Sequence, residues 1–139
     1  MNDHLKERTL LIADSGATKA DWYLVSGETI IRSFSGKGIT PVFQSSEEMT
    51  REIKENVFPY FKDTSIQAIY FYGSGCIPEK VPAVREAIHS SFPVEVIEVN
   101  SDLVATAHAL CGRQPGIACI LGTGSNSCEW DGTQIVKQI

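Results

Sequence analysis

The chain has 139 residues, of which 42% are hydrophobic, so its length suits about one domain with a single buried core. Its formal net charge is -5 and it has no run of lysines or arginines, which excludes nucleic acid and anionic membranes as expected partners. The polar start of the chain and the lack of a stretch of about 20 apolar residues predict a cytoplasmic protein without a signal peptide.

Three antiparallel strands are predicted at the start of the chain. Apolar residues 9–13 and 20–25 flank the turn Asp14-Ser15-Gly16-Ala17-Thr18-Lys19, a pattern typical of a β-hairpin whose tip has small side chains. Gly27 supplies the next turn, and residues 28–34 predict the third strand.

Helices and strands then alternate. Ser45 and Glu48 fit a capping box, in which the serine caps a helix and the glutamate reaches back, so a helix is predicted over residues 46–58. The β-branched and aromatic residues 66–72 predict a buried strand that ends at Gly73-Ser74-Gly75.

The rest of the chain predicts a helix, a strand, an alanine-rich helix, a hairpin and a further strand. These elements are predicted over residues 81–88, 94–99, 100–112, 117–130 and 134–137, respectively. Helices that connect successive strands indicate an α/β sheet, with antiparallel strands on one side and parallel strands on the other.

A second turn of small residues, Gly122-Thr123-Gly124-Ser125-Asn126, follows the apolar strand of the last hairpin. Glycines and small hydroxyl residues allow backbone N–H groups to approach an anion closely. Two such turns in one chain therefore predict a site that binds a polyphosphate from both sides.

These motifs resemble those of the actin, Hsp70 and sugar-kinase superfamily, whose two RNase H-like domains close on ATP. The resemblance is strongest to the N-acetylglucosamine kinases and the related BadF/BadG/BcrA/BcrD-type ATPases, and it depends on residues 14–22, 73–75, 100–107 and 121–126. It implies an α/β, RNase H-like (actin-like ATPase) domain over residues 1–113, with a mixed sheet in βββαβαβα order and helices on both faces. Residues 114–139 would then form the first β-hairpin of an incomplete second domain.

The resemblance also implies the roles of individual residues in binding ATP and Mg²⁺. Asp14 would orient hydrated Mg²⁺, and Asp102 would be the catalytic base that accepts the proton of a sugar hydroxyl. The residues implied to line the ATP phosphates are Gly16, Ala17, Thr18, Lys19, Gly122, Thr123, Gly124 and Ser125. Those implied to contact the sugar are Thr40, Ser74, Gly75, Asp102 and Asn126.

Each of these residues also has a purely structural interpretation. Asp14 can hydrogen-bond its own hairpin, Asp102 can cap the helix that follows it, and Ser74 can belong to a simple strand exit. Thr40 departs from the relatives, which commonly have asparagine there. A threonine hydroxyl has one donor where an amide has two, so the identity of the sugar stays open.

These motifs are compatible with three functions. The leading one is the N-terminal part of an ATP-dependent kinase for N-acetylglucosamine or a related amino sugar, a protein compatible with a homodimer. The second is an ATPase activator of an iron–sulfur dehydratase or reductase, which would need exposed cysteines, whereas Cys76, Cys111, Cys119 and Cys128 are scattered without a CxxC pair. The third is a non-catalytic nucleotide-binding module. With half of the phosphate site on an incomplete domain, we expect weak ATP binding and negligible turnover from these 139 residues alone.

Overall fold

The computed structural model describes residues 8–27, 29–104, 107, 116–121, 125–130 and 134–138. Eight strands and three α-helices have bounds in this part of the chain. They are β1 (Thr9–Ser15), β2 (Lys19–Ser26), β3 (Thr29–Lys37), α1 (Ser46–Glu52), α2 (Phe58–Phe61), β4 (Ala68–Gly73), α3 (Val81–Ser91), β5 (Val96–Ser101), β6 (Gly116–Leu121), β7 (Ser125–Trp130) and β8 (Ile135–Gln138).

The first five strands form one sheet in the order β3-β2-β1-β4-β5. The pairs β1–β2 and β2–β3 are antiparallel, whereas β1–β4 and β4–β5 are parallel, as the sequence predicted. In the ladder, Ser15 pairs with Gly73 and Gly73 pairs with Ser101. The three parallel strands therefore end level with one another, and we call this end of the sheet the carboxyl edge.

The core lies between one face of this sheet and the helices α1 and α3, which pack against each other. Alternate residues of each strand point to that face, as the period of a β-strand requires. Trp22 and Phe71 meet there with their ring centroids 5.7 Å apart. The fully buried large side chains include Leu11, Trp22, Ile53, Phe61, Ile69, Phe71 and Ile88. The helix predicted after β5 is described only at residues 102–104 and 107, so the prediction of helices on both faces falls largely outside the described residues.

The helix predicted over residues 46–58 begins as expected and ends later. The capping box is confirmed, because Ser45 accepts the Glu48 amide and Glu48 accepts the Ser45 amide. A π-helical turn, Ile53–Val57, then leads into α2, where the Phe58 amide donates to the Ile53 carbonyl. Pro59 lies in the first turn of α2, where a proline needs no intrahelical N–H bond, so the helix continues to Phe61.

Strand ends differ from the sequence prediction by a few residues. β3 runs on to Lys37, because its pairing with β2 continues to the cross-strand pair Lys19–Lys37. β5 begins at Val96 rather than at residue 94 and extends through Ser101, so Asp102 is the first helical residue after it. Strand pairing has extended both elements beyond their β-forming residues.

The last three strands form a separate antiparallel sheet in the order β6-β7-β8. This confirms the predicted hairpin and the strand after it, with one correction: Ser125 and Asn126 are in β7, paired with Leu121 and Ile120, rather than in the turn. The domain boundary near residue 113 stays a prediction. Within the described residues, no helix is both long and apolar enough to cross a membrane.

Candidate functional site

Four chain segments meet at the carboxyl edge of the five-stranded sheet. They are residues 16–18 after β1, residues 38–45 after β3, residues 74–80 after β4, and the helix that begins at Asp102 after β5. The level ends of β1, β4 and β5 bring these segments together. In open α/β sheets, ligands bind at the carboxyl ends of the parallel strands, so this edge is the candidate site.

The first loop, residues 16–18, is a tight turn with small side chains. Its first amide, that of Gly16, donates to the Lys19 carbonyl at 2.8 Å. Among the described residues, the amides of Ala17 and Thr18 have no backbone partner. A Cβ added at Gly16 would meet only the Lys19 carbonyl oxygen, at 3.7 Å, and the backbone there is not left-handed. Because neither packing nor backbone conformation requires glycine at position 16, close approach of a ligand is a sufficient reason for it.

Gly38 supports this loop from behind. Its amide donates to the Thr18 carbonyl at 3.0 Å, and a Cβ at this position would lie 2.5 Å from the Gly16 carbonyl oxygen. Only glycine allows the two backbones to approach so closely. The segment after β3 therefore helps to fix the shape of the first loop.

Two carboxylates of the site, Asp14 and Asp102, are within electrostatic reach of each other. Burial raises the pKa of Asp14 above its usual value, and the charge of Asp21 raises it further. Burial likewise raises the pKa of Asp102, the amides of Leu103 and Asp102 itself lower it, and the charge of Asp14 raises it. Asp102 is the first residue of the following helix, and the two amides that lower its pKa belong to that first turn.

Asp21 is a residue of this site that the sequence analysis missed. It lies directly opposite Asp14 in the β1–β2 ladder, accepts a hydrogen bond from the Ser35 hydroxyl and is 3.5 Å from the Lys19 ammonium. The Lys19 side chain is 66% exposed, and an ion pair this accessible to solvent contributes little stability. The Lys19 ammonium is therefore free to bind another anion. The signal was available, because residues opposite each other in a hairpin share a face.

Solved structures of other proteins share the fold that carries this edge. A protein from Porphyromonas gingivalis, provisionally named an N-acetylglucosamine kinase, is 44% identical, with a TM-score of 0.89 over 94% of this chain and 47% of that one. A Chromobacterium violaceum protein with the same provisional name is 21% identical, with a TM-score of 0.65 over 88% of this chain and 45% of that one. MreB5 of Spiroplasma citri, bound to ADP, is 12% identical, with a TM-score of 0.67 over 95% and 51%.

This chain has the fold of the sugar kinases and actin-like ATPases. The resemblance predicted from its motifs is thereby confirmed. The chain spans about half the length of each of these solved structures. No family model and no curated protein matches the sequence.

In this sugar-kinase fold, three of the residues predicted to contact a sugar, Thr40, Ser74 and Gly75, lie in the two middle segments of the carboxyl edge. Thr40 is 2% exposed, and its hydroxyl donates to the Ser74 carbonyl at 3.2 Å and accepts the Val42 amide at 3.3 Å. Gly75 has a φ of +75° and no room for a Cβ beside Val42. Thr40 and Gly75 therefore hold two loops together, and their contact with a sugar stays a prediction, as does that of Ser74.

The second predicted phosphate turn is described only in part. Gly122, Thr123 and Gly124 lie outside the described residues, while Ser125 and Asn126 are the first residues of β7. Their predicted contacts with phosphate and sugar stay predictions.

The described residues of this sugar-kinase fold suit a magnesium nucleotide. They contain no cluster of three or more metal-ligating side chains, so a metal would draw on one or two carboxylates. Mg²⁺ typically uses one or two protein carboxylates and keeps several waters, with substrate phosphates supplying further oxygens. The charge of Asp21 raises the pKa of Asp14, and the charge of Asp14 raises the pKa of Asp102, so negative charge gathers at this edge. A cation would neutralise that charge, and Asp14 and Asp102 fit that requirement.

Proposed function

We propose that this chain is the N-terminal part of an ATP-dependent kinase that phosphorylates N-acetylglucosamine or a related amino sugar on a hydroxyl. The observation that carries the proposal is the pair Asp14 and Asp102 at the carboxyl edge, beside a loop of small residues, in a chain 44% identical to the Porphyromonas gingivalis protein. Such a pair provides one carboxylate for a metal and one for a proton.

The first loop would hold the phosphates of ATP. The amides of Ala17 and Thr18 and the hydroxyl of Thr18 are donors at an exposed turn, and Lys19 adds a positive charge beside them. Gly16 would let the phosphate oxygens approach the backbone. Phosphoryl transfer needs positioning and charge stabilisation more than covalent chemistry from the protein, and this loop provides both.

Asp14 would hold Mg²⁺ through its water shell. When bound, the ion supplies positive charge against the phosphate oxygens that transfer makes more negative. The side chain of Asp14, near the end of β1, is shielded enough to raise its pKa and open enough to be reached by a hydrated ion.

Asp102 would accept the proton of the attacking sugar hydroxyl. Burial and the charge of Asp14 raise its pKa, which brings its proton affinity closer to that needed near neutral pH. The amides at the start of the following helix hold the carboxylate at the carboxyl edge. The sugar would lie against the segments that contain Thr40, Ser74 and Gly75.

The test is sugar-dependent ADP release by the full-length product of the gene that encodes this chain. ATP would be supplied with N-acetylglucosamine, glucosamine, glucose or no sugar. We expect release above the no-sugar rate with N-acetylglucosamine or glucosamine and little with glucose. ATP hydrolysis that is equal in all four samples would favour the activator ATPase, and nucleotide binding without hydrolysis would favour the non-catalytic module.

A further inference from the structure

Ser15, the last residue of β1, links the first loop to the segment after β3. It is fully buried. Its hydroxyl accepts the Ile39 amide at 2.8 Å and donates to the Ile39 carbonyl at 2.9 Å, with the Gly16 carbonyl a more distant alternative at 3.3 Å. One hydroxyl thus satisfies both backbone groups of Ile39.

Two further hydrogen bonds close a ring through the segment after β4. The Thr40 hydroxyl donates to the Ser74 carbonyl at 3.2 Å, and the Ser74 amide donates to the Ser15 carbonyl at 2.9 Å. Ser15, Ile39, Thr40 and Ser74 therefore form a closed cycle, in which each of the three loops is bonded to the other two. We call it the three-loop ring.

Three of the four residues of the three-loop ring are shielded from water, since Ser15 and Ile39 are fully buried and Thr40 is 2% exposed, while Ser74 is half-buried. A buried donor or acceptor that loses its partner cannot exchange it for water, so opening one link is costly. Movement of one loop alone would break at least one link. The loops can therefore shift together more easily than separately.

We infer that Ser15 and Thr40 are positioning residues that couple nucleotide binding to sugar binding through the three-loop ring. The inference rests on the proposed function, which places the nucleotide phosphates on the first loop and the sugar on the other two. Sugar that orders the second and third loops also orders the first, so it raises the affinity for nucleotide. By thermodynamic linkage, nucleotide raises the affinity for sugar by the same factor.

The test measures the affinity of the full-length protein for ADP by calorimetry, with and without saturating N-acetylglucosamine. In the wild type we expect the sugar to tighten ADP binding by about fivefold or more, the low end of measured couplings between sites. Ser15→Ala and Thr40→Val remove one link each and leave the loops joined through the remaining bonds, so we expect both to reduce that factor measurably. Thr40→Ser keeps the hydroxyl and should keep the coupling.

Ser33→Ala is the matched control, because Ser33 is exposed on β3 and removal of its hydroxyl leaves the three-loop ring intact. Coupling of wild-type strength in both folded Ser15→Ala and folded Thr40→Val would overturn the inference. If Ser15→Ala does not fold, the coupling factors of Thr40→Val and Thr40→Ser are compared instead, and equal factors would overturn the inference. A wild type that binds both ligands independently would overturn the inference and leave the proposed function standing, whereas one that binds no sugar would contradict both.

Discussion

At the scale of single residues, opposing interactions act on the pKa of the Asp102 carboxylate. The amides of Leu103 and Asp102 lower its pKa, but burial and the charge of Asp14 raise it, and the net direction is upward. A carboxyl group whose pKa is raised on folding stabilises the fold below its unfolded pKa, and that stabilisation is lost as the pH rises through the folded pKa. Ionisation of Asp102 at neutral pH therefore lowers the stability of the fold.

We predict that Asp102→Asn abolishes sugar-dependent turnover without destabilising the protein. Asparagine has nearly the shape of aspartate, can still accept the first-turn amides through its carbonyl oxygen and carries no charge, so the melting temperature at pH 7 should be unchanged or higher. Without a group to accept the proton, turnover should fall by about 10²- to 10⁴-fold. Thermal unfolding and the ADP-release assay measure the two effects.

The control is Asp63→Asn, which removes a carboxylate from an exposed turn outside the site. It should retain turnover. A large fall in melting temperature for Asp102→Asn, with turnover lost only in proportion to the unfolded fraction, would assign Asp102 a structural role alone.

A methyl group added at Gly16 and one added at Gly38 should have different effects on stability. Gly16→Ala has room within the chain, so stability should be retained while affinity for ADP falls by about tenfold, which is 1.4 kcal/mol. Gly38→Ala places a Cβ 2.5 Å from the Gly16 carbonyl oxygen and 2.8 Å from the Ala17 carbonyl, so the first loop must move. Overpacking of this kind costs about 1–3 kcal/mol of stability.

Urea unfolding and ADP titration of the two variants, made in the full-length protein, check this pair. Gly16→Ala with undiminished ADP affinity would exclude the first loop as the phosphate site. Gly38→Ala with wild-type stability would show that the two backbones are not in the close contact described above.

At the scale of elements, the start of α1 offers a prediction about the pH dependence of stability. A hydrogen bond from the Ser45 amide is the largest cause, and one from the Ser45 hydroxyl the next largest, of a Glu48 pKa below its usual 4.5. A carboxyl group with a lowered pKa stabilises the fold above its unfolded value, and that contribution is lost as the pH falls through the folded pKa. Ser45→Ala should cost about 1 kcal/mol of unfolding free energy at pH 7.

Glu48→Gln keeps an acceptor for the Ser45 amide but cannot titrate. Between pH 7 and pH 3 the wild type should therefore lose more stability in urea than Glu48→Gln does. Glu47→Gln, in the same exposed turn, is the control, because Glu47 has no hydrogen bond to Ser45. Equal losses in the wild type and in Glu48→Gln would contradict the capping box.

The elements were predictable where a local pattern determines them. The capping box at Ser45 and the apolar periods of β1 and β4 are local signals, and the structure confirms them. The π-helical turn before Pro59 and the extension of β3 to Lys37 were not predicted, because both depend on hydrogen bonds and pairings that the local sequence does not display.

At the scale of the whole molecule, the site exists because three parallel strands end level. Asp14 and Asp102 are 88 positions apart in sequence and meet only through the register of β1, β4 and β5. Family resemblance singled out both residues from their motifs, and their roles stay predictions. The three-loop ring was not predictable, since a buried Ser15 and Thr40 look like any small polar residues until the loops are assembled.

Phosphoryl transfer to a sugar is best tested by identifying the product that the full-length protein forms. The full-length protein would be incubated with Mg²⁺, ATP and N-acetylglucosamine, and the sugar fraction and ADP would be quantified by mass spectrometry. We predict one N-acetylglucosamine phosphate for each ADP formed. ADP accompanied by inorganic phosphate and unmodified sugar would contradict the kinase account.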